Sequence, residues 1–174
     1  MVNFKPTVFA EGELVYTDGG ILAEYAWLLV VLPFVAASVI TFTGKYLPLK
    51  GAEVALTTIG IIFLYSAALM YLHITSGVVN EFFINVGSIG VFDIEFGWVV
   101  DGLSIMMYFV VGTVALLVFI YATNYMEGEI RYTFFFTSLT LFAGSMLVLV
   151  SSPTLIQILI GWELVGVCSY LLIG

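Results

Sequence analysis

A chain of 174 residues that is 62% hydrophobic and only 9% charged is excluded from the ordinary soluble domains, in which about a quarter of residues are charged. The net charge is −8, but only four basic residues are present (Lys5, Lys45, Lys50 and Arg131), so a nucleic-acid surface of clustered Lys and Arg is excluded as well. A single cysteine, Cys168, rules out an intrachain disulfide.

From the N-terminus, residues 1–20 form an acidic segment carrying Glu11, Glu13 and Asp18, with Glu24 close behind. This segment lacks the basic start and short apolar core of a secretory signal, so the first hydrophobic segment is expected to be retained. Five apolar runs follow, each near the ~20 residues that an α-helix needs to cross ~30 Å of hydrocarbon. The first spans 21–43, the second 54–74, the third 102–121 and the fourth 133–150; the fifth begins at Pro153 and is still apolar at Gly174. Continuous runs of this length indicate helices, because barrel strands are shorter and alternate. Pro33 is expected to kink the first span. Asp101 is expected to cap the third, and Ser152 with Pro153 the fifth.

The loop over 75–100 differs in period. Phe92, Ile94, Phe96 and Trp98 alternate with Asp93 and Glu95, a strand pattern. With Phe82, Ile84 and Val86 before a "GSIG" turn, it is expected to form a β-hairpin. Lys45 and Lys50 fall between spans one and two, and Arg131 between three and four. Basic loops favour the cytoplasmic side, which puts 44–53 and 122–132 inside and the N-terminus and hairpin outside. The expected fold class is an all-α membrane protein of about five transmembrane helices with an extracytoplasmic β-hairpin. Its parts are the acidic segment 1–20, helices one and two over 21–74, the hairpin loop 75–100, and helices three to five over 101–174.

Inside the fifth run, "GWELVGVCSY" carries one carboxylate, Glu163. It lies nine residues beyond Thr154, about 13–14 Å along a helix and close to the middle of the hydrocarbon. An ionised carboxylate facing lipid at that depth costs at least ~2.5–3.5 kcal/mol. The group must therefore be protonated, or face a hydrated interior or a cation on another helix, which is the requirement for a proton relay. Gly166 and Tyr170 share its side of the helix, while Gln157 and Ser169 lie off that face. Gly161 and Gly166 leave room for a neighbouring helix or water. A carboxylate buried for helix–helix hydrogen bonding is the alternative.

The remaining candidates are weaker. His73, the sole histidine, is expected near the outer end of the second span as an interfacial residue, with a proton exit path as the other reading. Tyr108, Tyr121, Tyr125 and Tyr132 are expected mostly as interface anchors. Cys168 is expected as a small buried side chain, and Glu127, Glu129 and Arg131 as a solvated loop. No metal-ligand spacing and no phosphate-binding glycine loop is present.

The segments "DGLS" at 101–104, Tyr121–Glu129 and above all Gly161–Gly174 resemble the N-terminal part of the proton-pumping membrane subunit of NADH–quinone oxidoreductase, respiratory complex I, in its chain 5 or L branch. The resemblance is strong over residues 96–174. The same family includes the large subunits of multisubunit cation/proton antiporters. The resemblance implies that the chain is part of a larger antiporter-like helix bundle built from inverted repeats. It implies that Glu163 is the essential fifth-helix glutamate, paired with a lysine on a later helix. No lysine follows Lys50 here, so that partner lies outside this polypeptide; the chain is read as a fragment or as one half of a split subunit. No cofactor is expected in this chain, whereas quinone, NADH, flavin and iron–sulfur clusters belong to partner subunits. Any enzyme label then describes the assembly, since no redox centre is visible here. A sodium/proton antiporter subunit and a non-transporting assembly subunit stay open as alternatives.

Overall fold

Within hydrocarbon there is no water to bond the backbone, so each apolar run closes its own hydrogen bonds as a helix. The computed structural model describes residues 9–10, 13–14, 20–76, 80–89 and 92–173. Two short strands, β1 (Phe9–Ala10) and β2 (Glu13–Leu14), pair antiparallel. The rest of the acidic segment lies outside the described residues. Then come α1 (Gly20–Glu24), α2 (Trp27–Thr43), a 3-10 turn over Gly44–Tyr46, and α3 (Ala52–Ser76). Strands β3 (Asn80–Ile89) and β4 (Phe92–Val100) precede α4 (Gly102–Tyr125), α5 (Tyr132–Ser151) and α6 (Leu155–Ile173). Among the described residues, five helices are long and apolar enough to cross a membrane, and the protein is an all-α multi-pass membrane protein in its long elements.

The first apolar run divides. Residues Tyr25 and Ala26 form a turn between α1 and α2, where Leu28 and Leu29 donate to carbonyls only three residues back. Such i→i−3 bonds tighten a helix end. The helix continues through Pro33. The Tyr65 hydroxyl donates to the Leu22 carbonyl at 2.6 Å and ties the short α1 to α3.

Helix α5 holds the bundle together, packing most extensively on α2 and α6 and also touching α3, α4 and β4. Its buried Ser138, Thr140 and Ser145 are satisfied within the helix, each hydroxyl donating to the carbonyl four residues back at 2.7–3.0 Å. That back-bonding lets hydroxyls sit in an apolar interior without requiring a partner on another helix. Small residues set the closest approaches, as expected where lipid gives helices no hydrophobic reason to associate. A Cβ at Gly144 would stand 3.0 Å from Pro33 of α2, and one at Gly112 would stand 3.3 Å from the Phe63 backbone of α3. Around these crossings lies a core containing Ile40, Ile59, Ile62, Ile105, Phe119 and Phe136.

The two ends of the bundle are distinct. Thr133 at the start of α5 donates its hydroxyl to the Lys50 carbonyl at 3.0 Å, so the loops carrying Lys45, Lys50 and Arg131 share one end. The strand pair and the α5–α6 turn share the other, joined by contacts from Gln157 to Gly97.

Two local expectations need correction. The fifth helix is capped by Thr154, not by Ser152 with Pro153 as the first helical residue. The Thr154 hydroxyl accepts from the Gln157 amide at 3.4 Å, its carbonyl accepts from Ile158 at 3.0 Å, and the helix starts at Leu155. Ser152 instead turns back and donates to the Val148 carbonyl of α5. The expected "GSIG" turn is also displaced. Strand β3 runs on through Gly87, Ser88 and Ile89, which pair with Ile94, Asp93 and Phe92, because a bulge between Asn85 and Gly87 absorbs one residue. The expected partition of the side chains at 82–86 and 92–95 between two faces lies outside the described residues. Further along β4, Trp98 packs against Trp27 at the start of α2, ring centroids 6.5 Å apart. The Asp101 cap is present: its carboxylate accepts from the Ser104 amide at 2.7 Å and from the Ser104 hydroxyl.

Candidate functional site on helix α6

Helix α6 presents two unlike faces. Its buried residues are Gln157, Gly161 and Cys168. At 100° per residue these three fall within about 40° of one another, a single stripe. The stripe meets α5 closely. A Cβ at Gly161 would lie 2.9 Å from the Cα of Leu149, so the two backbones are nearly in contact. Cys168 sits 3.7 Å from the Ser145 hydroxyl. At the N-terminal end the Gln157 side chain, 6% exposed, carries two hydrogen bonds to one residue of β4. Its Oε1 accepts from Gly97 N–H at 2.9 Å, and its Nε2 donates to the Gly97 carbonyl at 2.8 Å.

Glu163 is on the other face and is exposed. It is the ninth residue of a 19-residue helix, which puts it about 12 Å from the first residue and about 15 Å from the last. Six residues beyond Gln157 at 100° each turn it about 120° away from the buried stripe. Its neighbours on that side are equally open: Leu159 is 59% exposed, Val167 53% and Tyr170 76%. A Cβ at Gly166 would meet nothing within 4 Å. The sequence-based grouping of Glu163, Gly166 and Tyr170 on one side thus holds. The two glycines part company, since Gly161 already receives α5 and only Gly166 leaves open space. Among the described residues no hydrogen bond or ion pair reaches Glu163, and Lys45, Lys50 and Arg131 stand in the loops at one end of the bundle.

Other candidates fall elsewhere. His73, half-buried near the end of α3, lies beside the start of α4, where a Cβ at Gly102 would stand 2.9 Å from its Nε2. Tyr121 and Tyr125 are stacked at 5.6 Å and exposed, as anchors should be. Tyr108 is not an anchor: it is fully buried, and its hydroxyl donates to the Val99 carbonyl at 3.0 Å. Tyr132 is also buried, packed on Phe136 at 4.8 Å. Glu127, Glu129 and Arg131 are exposed loop residues. Among the described residues no group of His, Cys, Asp and Glu could hold a metal ion. The sequence places Gln157 off the Glu163 face and assigns it no role. An amide in the otherwise apolar first two turns of the helix was the available signal; its partner sixty residues earlier was not.

Residues 84–136 match the family model described as NADH-Ubiquinone oxidoreductase (complex I), chain 5 N-terminus. The chain is 42% identical over 161 residues to NAD(P)H-quinone oxidoreductase chain 5 of Picosynechococcus sp., covering 88% of this chain and 24% of that protein. It is 39% identical over 158 residues to NAD(P)H-quinone oxidoreductase subunit 5, organellar chromatophore 1, of Paulinella chromatophora, covering 87% of this chain and 24% of the relative. It is 37% identical over 158 residues to the chloroplastic subunit 5 of Spinacia oleracea, covering 87% and 21% respectively. The chain thus spans about a quarter of the length of the curated relatives it matches. Residues 84–136 thus match the model of the chain 5 N-terminus, and most of this chain aligns with chain 5 subunits, so the chain is similar to the N-terminal region of complex I chain 5.

Proposed function

We propose that this chain is part of a proton-translocating membrane subunit of an NAD(P)H–quinone oxidoreductase, with Glu163 as a proton-relay group. The observation that carries this reading is the position of Glu163. It lies at the midpoint of a membrane-length helix, on an open face, while the opposite face of that helix is packed against α5. A carboxylate left at that depth against lipid is costly, so the open face is one that other helices cover. The partners are the other membrane-arm subunits and helices outside this polypeptide, including one that brings a lysine to Glu163. The relatives named for quinone reduction support the redox-driven use; the electron-carrying cofactors belong to other subunits. The N-terminus and the strand pair lie on the extracytoplasmic side, and the Lys45–Lys50 and Arg131 loops lie in the cytoplasm, following the bias of basic residues.

The relay needs no bond-making chemistry. A unit charge about 4 Å away is worth about 4 kcal/mol at an effective dielectric of 20, roughly a thousandfold in a protonation equilibrium. When a cation approaches, the ionised carboxylate is favoured and a proton leaves. When the cation withdraws, the carboxyl form is favoured and a proton is taken up. Electron transfer elsewhere in the assembly drives that movement.

Replacing Glu163 by Gln keeps the shape and removes the titration. In the assembled complex, Glu163→Gln is expected to retain assembly and to lower the protons moved per electron severely, by severalfold or more. Unchanged proton translocation would overturn the relay. If Glu163→Gln were normal while Glu163→Ala lost assembly, the carboxylate would be a packing group instead.

A further inference from the structure

Both ends of the buried Gln157 amide bond the same backbone residue. Gly97 is paired in register with Phe83 of β3. In a strand the N–H and C=O of one residue point to the same side. Since both groups of Gly97 go to Gln157, they point away from β3, toward the strand edge that faces the helices. The Gln157 amide therefore stands where a third strand would put its peptide group, and it satisfies an edge that would otherwise be buried unpaired. Strand β4 is itself fixed immediately after Gly97. Trp98 packs on Trp27 of α2, the Tyr108 hydroxyl of α4 bonds the Val99 carbonyl, and Asp101 caps α4. Gln157 is thus the link by which this strand holds α6.

That link constrains two degrees of freedom. A helix that slips by one residue moves about 1.5 Å along its axis and turns about 100°. A two-point hydrogen bond with both distances under 3.0 Å tolerates neither movement. Glu163 follows six residues later on the same rigid helix, about 9 Å farther along the axis. Its depth and its direction are set by where Gln157 is held.

We infer that Gln157 is a positioning residue: its two hydrogen bonds to Gly97 fix the axial and rotational setting of α6, and so place Glu163 against its partner outside this chain. This inference rests on the relay reading of Glu163. The link also gives the strand pair a mechanical connection to the helix that carries the relay group. A displacement of β4 is passed to α6 directly through this side chain.

The test uses the full-length subunit in the assembled complex, with quinone reduction and proton translocation measured on the same preparations. Gln157→Leu removes both bonds at similar size. It is expected to leave the amount of complex and the quinone KM unchanged and to lower protons per electron by about threefold. Gln157→Glu keeps the acceptor to Gly97 N–H and loses the donor when ionised, so it is expected to fall between. Tyr108→Phe loosens the same strand from α4 without touching α6, and it is expected to leave protons per electron unchanged. A normal ratio in Gln157→Leu overturns the inference. So does an equal loss in Tyr108→Phe, which would make the effect one of strand stability. Failure of both Gln157 variants to assemble would make the residue a folding contact and would overturn it too. Glu163→Gln is measured alongside. A normal ratio there would remove the relay reading itself, whereas an impaired Glu163→Gln with a normal Gln157→Leu would remove only the positioning role.

Discussion

Trp162 and Glu163 stand side by side near the midpoint of α6, both exposed, with Trp162 68% so. Tryptophan favours the membrane–water interface, and a carboxylate avoids the hydrocarbon altogether. Two such residues at the middle of a membrane-length helix suit, on the relay reading proposed above, a surface that meets protein or trapped water and do not suit lipid. The residue on the other side, Gly161, shows the opposite logic. Its missing Cβ is what lets the Leu149 backbone approach, since an added carbon would stand 2.9 Å from Cα and 3.0 Å from N. Backbone atoms cannot step aside as the tip of a side chain can. Gly161→Leu is therefore expected to push α6 off α5 and to destabilise the protein by about 1–3 kcal/mol, the usual cost of overpacking. Thermal unfolding of the purified protein in detergent reads this as a lowered Tm, and an unchanged Tm would refute the close crossing. A lone acid in an apolar run was visible in the sequence because charge there is so expensive. The use of Gln157 was not, since an amide can bond any backbone within reach and nothing local names residue 97.

The long helices follow directly from hydropathy, because only a helix satisfies its backbone without help. Their ends follow from finer balances. Asp101 was legible as a cap, with a carboxylate directly before a helical run and a serine three residues on to donate to it. At the fifth helix the sequence points to Ser152 with Pro153, whereas the cap actually used depends on how the chain leaves α5. Ser152 is drawn back to the Val148 carbonyl, which leaves Thr154 to accept from the Gln157 amide. Thr154→Ala is accordingly expected to cost about 1 kcal/mol, as other lost N-caps do. Ser152→Ala, an exchange in which no helical amide loses its acceptor, is expected to cost markedly less. Equal effects of the two changes on thermal stability would argue against this cap assignment. Strand β3 illustrates the same limit: a glycine signals a turn, but past the bulge the ladder includes Gly87.

Across the whole molecule, the alternation of helix direction brings the basic loops together at one end and the strand pair and α5–α6 turn together at the other. Helix α5 is enclosed by its neighbours, whereas α6 packs chiefly on α5 and leaves its outer side open. That asymmetry could not be read from hydropathy, since both helices are apolar nearly all round, and only the pattern of small residues hints at which faces meet. The account turns on what covers the open side of α6. The most direct measurement is the surroundings of a spin label attached at Glu163→Cys in a Cys168→Ser background, in the full-length subunit within the assembled complex. Dissolved oxygen concentrates in the hydrocarbon, so collision with oxygen reports contact with lipid. The account predicts low oxygen accessibility at this position; high accessibility, as on a lipid-bathed helix face, would contradict it.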